Sequence, residues 1–511
     1  MTQKALPFQY SSAKKTAKIT GLAGLPLYLE LAIKSGLTKN IEKSLQIKQR
    51  GWTDVEMILS LIMLNFAGGD CISDINRLEQ DSGLRTLLMH FATHNMPRKE
   101  RRAFERRWRK VKTNALPSNA AFHSYLPNFH SPAEELKRVV GKAFIPAPNE
   151  NLKSLIELNS SLIESIQQHS ISSEATLDQD ATLTSTHKRN ALYCYKKYKA
   201  YQPFNTYWAE HGIVLHSEFR DGNVPAGFEQ LRVFKEALDL LPNTVNKVFL
   251  RSDSAAYQTE LLQYCAEGTN DRFGVIEFAI AAKVSAQFKE EVKLLSTESW
   301  QTIFKKDPDG NLTETKQEWA EVCFVPDWVA QGSKQAEYRY IAIRETMTPN
   351  KSGKEIVTEN LPFPTIKNKE DTYKLFAVIT NRNIDGNELI QWHRERCGKS
   401  EQVHSHQKSD LCGGQLPSNL FGVNAAWWQI MILSLNLNRL MQLVALPVEF
   451  KEKRMKALRF HIIQIPGIVV YHARKVSLKV EEHYHKLYES IRQKISNVTA
   501  SPVQLGDVLL T

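Results

Sequence analysis

The chain has 511 residues, 42% hydrophobic and 24% charged, a composition typical of an ordinary globular protein of two to four domains. No uninterrupted apolar run approaches the roughly 18 residues of a membrane span, so no membrane partner is expected. The net charge of +11 is unevenly placed, with 20 Lys and Arg against 10 Asp and Glu in residues 1–131, and 11 against 4 in residues 451–495. Two basic ends around a slightly acidic centre suit attraction to a phosphate backbone, where counterion release rewards clustered cations. The six cysteines are scattered without a close pair, and the start, MTQKALPFQYSSAKK, lacks the apolar core of a signal peptide. A reducing, cytoplasmic setting is the expectation.

Helical periodicity begins at Leu25–Ile33 and resumes at Thr53–Phe66, where Thr-Asp-Val-Glu predicts a capping box between Thr53 and Glu56, with Gly68 and Gly69 as the stop. Further helices are predicted at Ile72–Leu78 and Leu84–Ala92. The segment 97–112, PRKERRAFERRWRKVK, carries nine basic and two acidic side chains. On a helix Phe104 and Trp108 share one face, while Arg101, Arg102, Arg106, Arg107, Arg109 and Lys110 form a candidate DNA-contacting surface. The competing reading is a solvated charged helix held to its neighbours by the two aromatics. NAAFHSYL, which follows Pro117-Ser118, suits a short second helix of a helix-turn-helix.

From 174 the pattern changes to strands EATLDQDATL, NTYWAEH and IVLHSEFRD, helix Phe228–Leu241, strand KVFLRSD, helix Ala255–Ala266 and strand FGVIEFAI. Three strands followed by alternating helix and strand predict an α/β fold with a mixed sheet. Short β-like runs among polar loops interrupt it at 291–372, and strand Tyr373–Thr380 with helices near Asn387–Leu411 and Leu420–Leu443 resumes it. The resulting division is 1–131 as a helical basic DNA-binding region, 132–173 as a helical linker, 174–290 as the first part of the core, 291–372 as a β-rich insertion, 373–450 as the second part, and 451–511 as a basic C-terminal region contacting DNA or a second subunit.

Three acids stand out. Asp180 follows Asp178 on one face of the first strand, because strand side chains alternate. Asp253 ends an apolar strand at a small-residue turn, where it also suits a helix cap. Glu401 lies in WHRERCGKSEQVHSHQKSDL; on one continuous helix Arg394, Glu401 and Lys408 fall on a single stripe, since seven residues make nearly two turns. A zinc site from Cys397, His404, His406 and Cys412 is conceivable by residue type, but its spacing matches no common module. Trp300, Trp319 and Trp328 are candidates for stacking on a flipped base or, more simply, for packing.

Together, the motifs Leu177-Asp178-Gln179-Asp180-Ala181-Thr182, Leu250-Arg251-Ser252-Asp253-Ser254-Ala255 and Arg396-Cys397-Gly398-Lys399-Ser400-Glu401, followed by Lys408, resemble the DDE transposases of bacterial insertion sequences. The branch with a β-rich insertion before the glutamate is the most similar, and the resemblance spans roughly residues 20–475. It implies an RNase H-like core in which Asp180, Asp253 and Glu401 bind two Mg2+ or Mn2+ ions, with Asp178 in a supporting position. It also implies nicking at terminal inverted repeats, attack of the freed 3′-hydroxyl on target DNA, a hairpin intermediate in many relatives, and a homodimer on double-stranded DNA. The related motif has Tyr seven and Arg four residues before the glutamate, where this chain has Arg394 and Cys397, with Arg396 one step out of register. Lys408 is in register. Helix geometry favours Arg394 over Arg396 as the phosphate contact, since Arg396 would lie about 140° from Glu401. The alternatives are a DNA-binding protein of the same fold without catalysis, or an RNase H-like nuclease that never joins strands.

Overall fold

The structure, a computed structural model, describes residues 18–94, 96–111, 113–307, 311–326, 338–347, 361, 363–368, 371–472 and 475–498. In chain order the strands are β1 (Ile19–Thr20), β2 (Glu174–Ala181), β3 (Thr184–Ser185), β4 (Leu192–Tyr193), β5 (Lys199–Tyr201), β6 (Phe204–Trp208), β7 (Ile213–Glu218), β8 (Lys247–Ser252) and β9 (Glu277–Ala282). They continue with β10 (Gln301–Lys306), β11 (Leu312–Val322), β12 (Arg339–Thr346), β13 (Thr365–Asn368), β14 (Asp371–Thr380), β15 (Gly467–His472) and β16 (Lys475–Lys479).

The main sheet runs β10-β11-β12-β14-β9-β8-β2-β6-β7, with β13 paired to β14. Within it β2, β8 and β9 are parallel, while on the far side of β2 strand β6 is antiparallel to β2 and β7 antiparallel to β6. Three meandering strands followed by two parallel ones, with the first strand central, is the RNase H-like order expected from the motifs. The segment 291–372 does not fold away from this core. Its strands prolong the same sheet, because β14 pairs antiparallel with β9 (Ala377 opposite Ala282, Thr380 opposite Ala279) and β12 pairs with β14 along its whole length.

One face of the extended half buries Ala279, Ile303, Trp319, Ile341, Ile343 and Val378 under Leu389 and Ile390 of helix Gly386–Arg394. The other face belongs to the large core, at whose centre lies helix Phe421–Val444, apolar on nearly every side and therefore buried almost throughout. Its polar residues are satisfied. Asn436 donates to Asn159 Oδ1 at 2.7 Å and to Val214 O at 2.8 Å, and accepts from Val214 N at 3.1 Å, which ties the helix to β7 and to helix Glu150–His169. That helix, expected as part of a linker, buries Leu155, Leu162, Ile163 and Ile166 completely and is a core element.

The two basic ends also pack together. Helix Asp54–Ala67 starts at the capping box read from the sequence, with Thr53 Oγ1 accepting from Glu56 N at 3.2 Å and Glu56 accepting from Thr53 N at 2.8 Å. It stops at Gly68, whose φ of 87° favours glycine. Arg459, nearly 400 positions later, donates to the Phe66, Asn65 and Asp410 carbonyls and so fills orphan acceptors at that helix end. Strand β15 pairs with β1, Ile468 opposite Ile19, so residues from both ends share one three-stranded sheet.

Candidate active site

Strands β2 and β8 run parallel with Asp178 beside Arg251 and Gln179 beside Ser252. Asp180 is the next residue on β2 and Asp253 the first residue beyond β8, so two carboxylates stand at the carboxyl ends of neighbouring strands. On the opposite face the register is locked by Ser252 Oγ donating to Gln179 O at 3.1 Å and by Gln230 Nε2 donating to Gln179 Oε1 at 3.1 Å. Asp253 also caps the turn Ser254–Ala256, accepting from Ala255 N at 2.9 Å, as the helix-cap reading of this residue expects. His393 on helix Gly386–Arg394 donates from Nε2 to Ser252 O at 3.0 Å, which fixes that helix against the residue before Asp253. Burial and Arg396, Arg251 and Arg394 hold the His393 imidazole neutral, pushed down to about 4.

The aspartate pair is electrostatically strained. Burial, then the nearby Asp253 charge, push the Asp180 carboxyl up to about 6, while Arg396 opposes the rise. A nearby cation would offset that repulsion. Asp178 has a different task. It is buried and grips Arg251 in two hydrogen bonds of 2.6 and 2.9 Å, and the same guanidinium reaches Trp392 O at 2.8 Å and Glu395 at 3.0 Å. Arg251 thus fastens the strand bearing Asp180 to the end of helix Gly386–Arg394.

The segment carrying Glu401 departs most from expectation. The predicted continuous helix Asn387–Leu411 is broken at Cys397 (ψ 137°) and Gly398 (φ 81°, ψ −45°), restarts toward Ser405, and finishes in the wide turn His406–Asp410. A break resets helical phase, so the stripe of Arg394, Glu401 and Lys408 does not form. Arg394 instead donates to Gln317 at 2.7 Å and lines a groove of about 1240 Å³ between its helix and the extended sheet. The choice of Arg394 over Arg396 is therefore corrected. Arg396 acts electrostatically on both Asp178 and Asp180, and among the described residues its buried Nε has no hydrogen-bond partner. Lys408 is near Asp180, donating to Leu183 O at 3.3 Å; burial pushes its ammonium below the ordinary value, Asp180 opposing.

Glu401 itself is exposed, two residues before the buried Val403 and hence on the opposite side of its helix. The expected convergence of three carboxylates is not formed: among the described residues no three acidic, His or Cys side chains are grouped as a metal site. Like charges repel, and a carboxylate in water loses solvation when it joins two others. The Cys397, His404, His406 and Cys412 set is likewise not assembled; Cys412 is buried against Gly69 O. The donor chemistry at Asp180 and Asp253 fits a hard divalent cation, because oxygen ligands of like charge stand together there.

The remaining candidates lie apart. Arg102, Arg106 and Arg107 on helix Arg98–Val111 are exposed and Arg101 is half-buried; the side chains of Trp108, Arg109 and Lys110 lie outside the described residues. The following helix, Asn119–Tyr125, buries Phe122 and Tyr125 in the core. Trp319 is buried, Trp300 packs its ring 4.0 Å under the Arg344 guanidinium, and Trp328 lies outside the described residues. The sequence reading passed over residues 184–201, where β3, β5 and β4 form a small sheet beyond Asp180. Its signal was there in KRNALYCYKKYKAY, basic and aromatic residues interleaved.

Among curated proteins none matches the chain significantly. A solved structure similar to it, piggyBac transposase in a synaptic complex with hairpin DNA, is 11% identical, covers 94% of this chain and 87% of its own, and superposes with a TM-score of 0.40. Residues 12–500 match the family model for the transposase DDE domain, group 1. With the match running over nearly the whole length and two of the motif's aspartates side by side at the ends of parallel strands, the chain belongs to the DDE transposase family.

Proposed function

We propose that this protein cuts and joins DNA at the ends of a mobile element by metal-assisted phosphoryl transfer, with Asp180, Asp253 and Glu401 as the acidic set. The observation that supports it is the carboxylate pair: Asp180, pushed up to about 6 by burial and by Asp253, is an electronegative site in need of a cation. Divalent ions held there, two Mg2+ or Mn2+ in the full reading, supply activation of the attacking oxygen and stabilisation of the leaving one. Asp180 and Asp253 would hold them first. Glu401 would complete the set by turning in from its exposed position once cation charge offsets carboxylate repulsion.

In the first step a water oxygen bonds to phosphorus at the element's end and the bond to the 3′-oxygen breaks, leaving a 3′-hydroxyl and a 5′-phosphate. In the second that hydroxyl attacks a target phosphate and displaces its 3′-oxygen. Arg396, with its unsatisfied buried donor, and Lys408 would grip the phosphate on either side. Joining two ends calls for two copies of the chain on the inverted repeats and target.

The test is a nicking and strand-transfer assay on DNA carrying the element's terminal repeats, with and without Mg2+. Cleavage that needs the ion and vanishes in Asp180→Asn and Asp253→Asn is the expected result. Binding without cleavage under any divalent ion would favour the non-catalytic reading, and hydrolysis with no joined product the nuclease. Cleavage that survives both substitutions would overturn the assignment.

A further inference from the structure

The small sheet at residues 184–201 has no role in the chemistry above, yet its construction is specific. Between Thr182 and Tyr201 the chain has Lys188, Arg189, Lys196, Lys197 and Lys199 and not one Asp or Glu. Its inner side is anchored: Ala191, Cys194, Ala200 and Tyr201 are buried, and a Cβ on Gly222 would meet Ala200 O at 2.5 Å, so only glycine lets the sheet seat this closely. Its outer side carries large aromatics in water, with Tyr195 72% and Tyr193 64% exposed. The turn joining β4 to β5 is closed by Lys197 N donating to Cys194 O at 2.9 Å, and holds Lys197 at a φ of 65°, a left-handed conformation unfavourable for a lysine. A surface that keeps tyrosines exposed, cations clustered and a strained turn in place is more than a solvated hairpin needs.

Its position connects it to the aspartates. Thr184 lies four residues beyond Asp180, at most about 13 Å along an extended chain, and Lys408 donates to Leu183 O at the root of the sheet. Lys196 at the tip is close enough to act electrostatically on Lys408.

We propose that this sheet is a binding platform for unpaired nucleotides next to the scissile phosphate, with Tyr193 and Tyr195 stacking on bases and Lys188, Arg189, Lys196 and Lys197 following the backbone. Charge selects a polyanion, and exposed rings select single strands over duplex, because paired bases already have both faces stacked. The inference rests on the DNA-cutting reading above, since it supplies that site with its substrate's frayed flank.

The experiment is fluorescence anisotropy with the full chain and two probes, a labelled 20-nucleotide single strand of mixed sequence and the blunt duplex of the same sequence. The expected result is single-strand binding that falls about tenfold or more in Tyr193→Ala/Tyr195→Ala, with duplex binding unchanged. Tyr193→Phe/Tyr195→Phe should keep wild-type affinity, and Lys196→Ala/Lys197→Ala should flatten the salt dependence of single-strand binding. Melting temperatures matched to wild type establish that the surface variants fold. Single-strand affinity within twofold of wild type in the alanine pair overturns the inference alone, as does an equal fall for both probes. Wild-type chain that binds neither probe overturns the inference and the DNA-cutting reading together.

Discussion

The two aspartates and the glutamate of the proposed set are held by different physical means. Asp180 and Asp253 sit on strands whose relative position is dictated by ladder hydrogen bonds, by the buried Gln179–Ser252 contact and by Arg251 clamped between Asp178 and Glu395. Glu401 sits on a short helix that starts after a glycine break and shows its carboxylate to water. One half of the site is therefore preorganised and strained, the other relaxed and displaced. What the contrast teaches is that, on the proposed reading, the aspartate pair would set the electrostatic demand for a cation, and the helix bearing Glu401 would be the part left to respond.

Four experiments break or sharpen this contrast. The largest effect is expected on activity. Glu401→Gln should cost at least about a thousandfold in cleavage, as much as either aspartate change, while leaving stability untouched because the side chain is exposed. Near-normal cleavage in that variant would remove the glutamate from the set. Next, Arg251→Met should destabilise the fold by about 3–5 kcal/mol in urea unfolding, since it strands the buried Asp178 charge, and adding Asp178→Asn should recover much of the loss. An undiminished midpoint would mean that the strand half is not held as described.

A smaller effect belongs to the break itself. Gly398→Ala forces a side chain into a φ of 81° and should cost about 1 kcal/mol of stability, with a drop in cleavage of roughly tenfold as Glu401 is re-aimed. Unchanged cleavage would show that the helix phase after the break is unimportant. The smallest is a pH effect. A carboxyl at about 6, against an ordinary 3.8, binds its proton more tightly folded than unfolded. Its stabilisation is fully present below about pH 4 and is lost as pH rises through about 6. Asp180→Asn should flatten that fall and make the variant more stable than wild type at pH 7, measured by unfolding across pH 4–8.

The same contrast explains what was legible beforehand. Period-two alternation identified Asp178 and Asp180 as one face, and a cap pattern identified Thr53 and Glu56, because both signals are local and the structure keeps them local. Arg394 was preferred to Arg396 by extending one helix through Cys397-Gly398, and a single positive φ removed the premise. The partnership of Asp178 with Arg251 spans 73 positions, and nothing in either neighbourhood announces it. The tyrosines of 184–201 were visible as letters, but their exposure depends on which alternate residues the loop at Gly222 covers.

The pairing of β1 with β15 also bears on how the polypeptide matures. Ile19 and its neighbour Ile468 are 449 positions apart, so the first is synthesised long before the second. Contacts so distant in sequence slow folding, and the basic helical region must wait for Gly467–His472 before its sheet can close. Loss of β15 would leave β1 without its ladder partner.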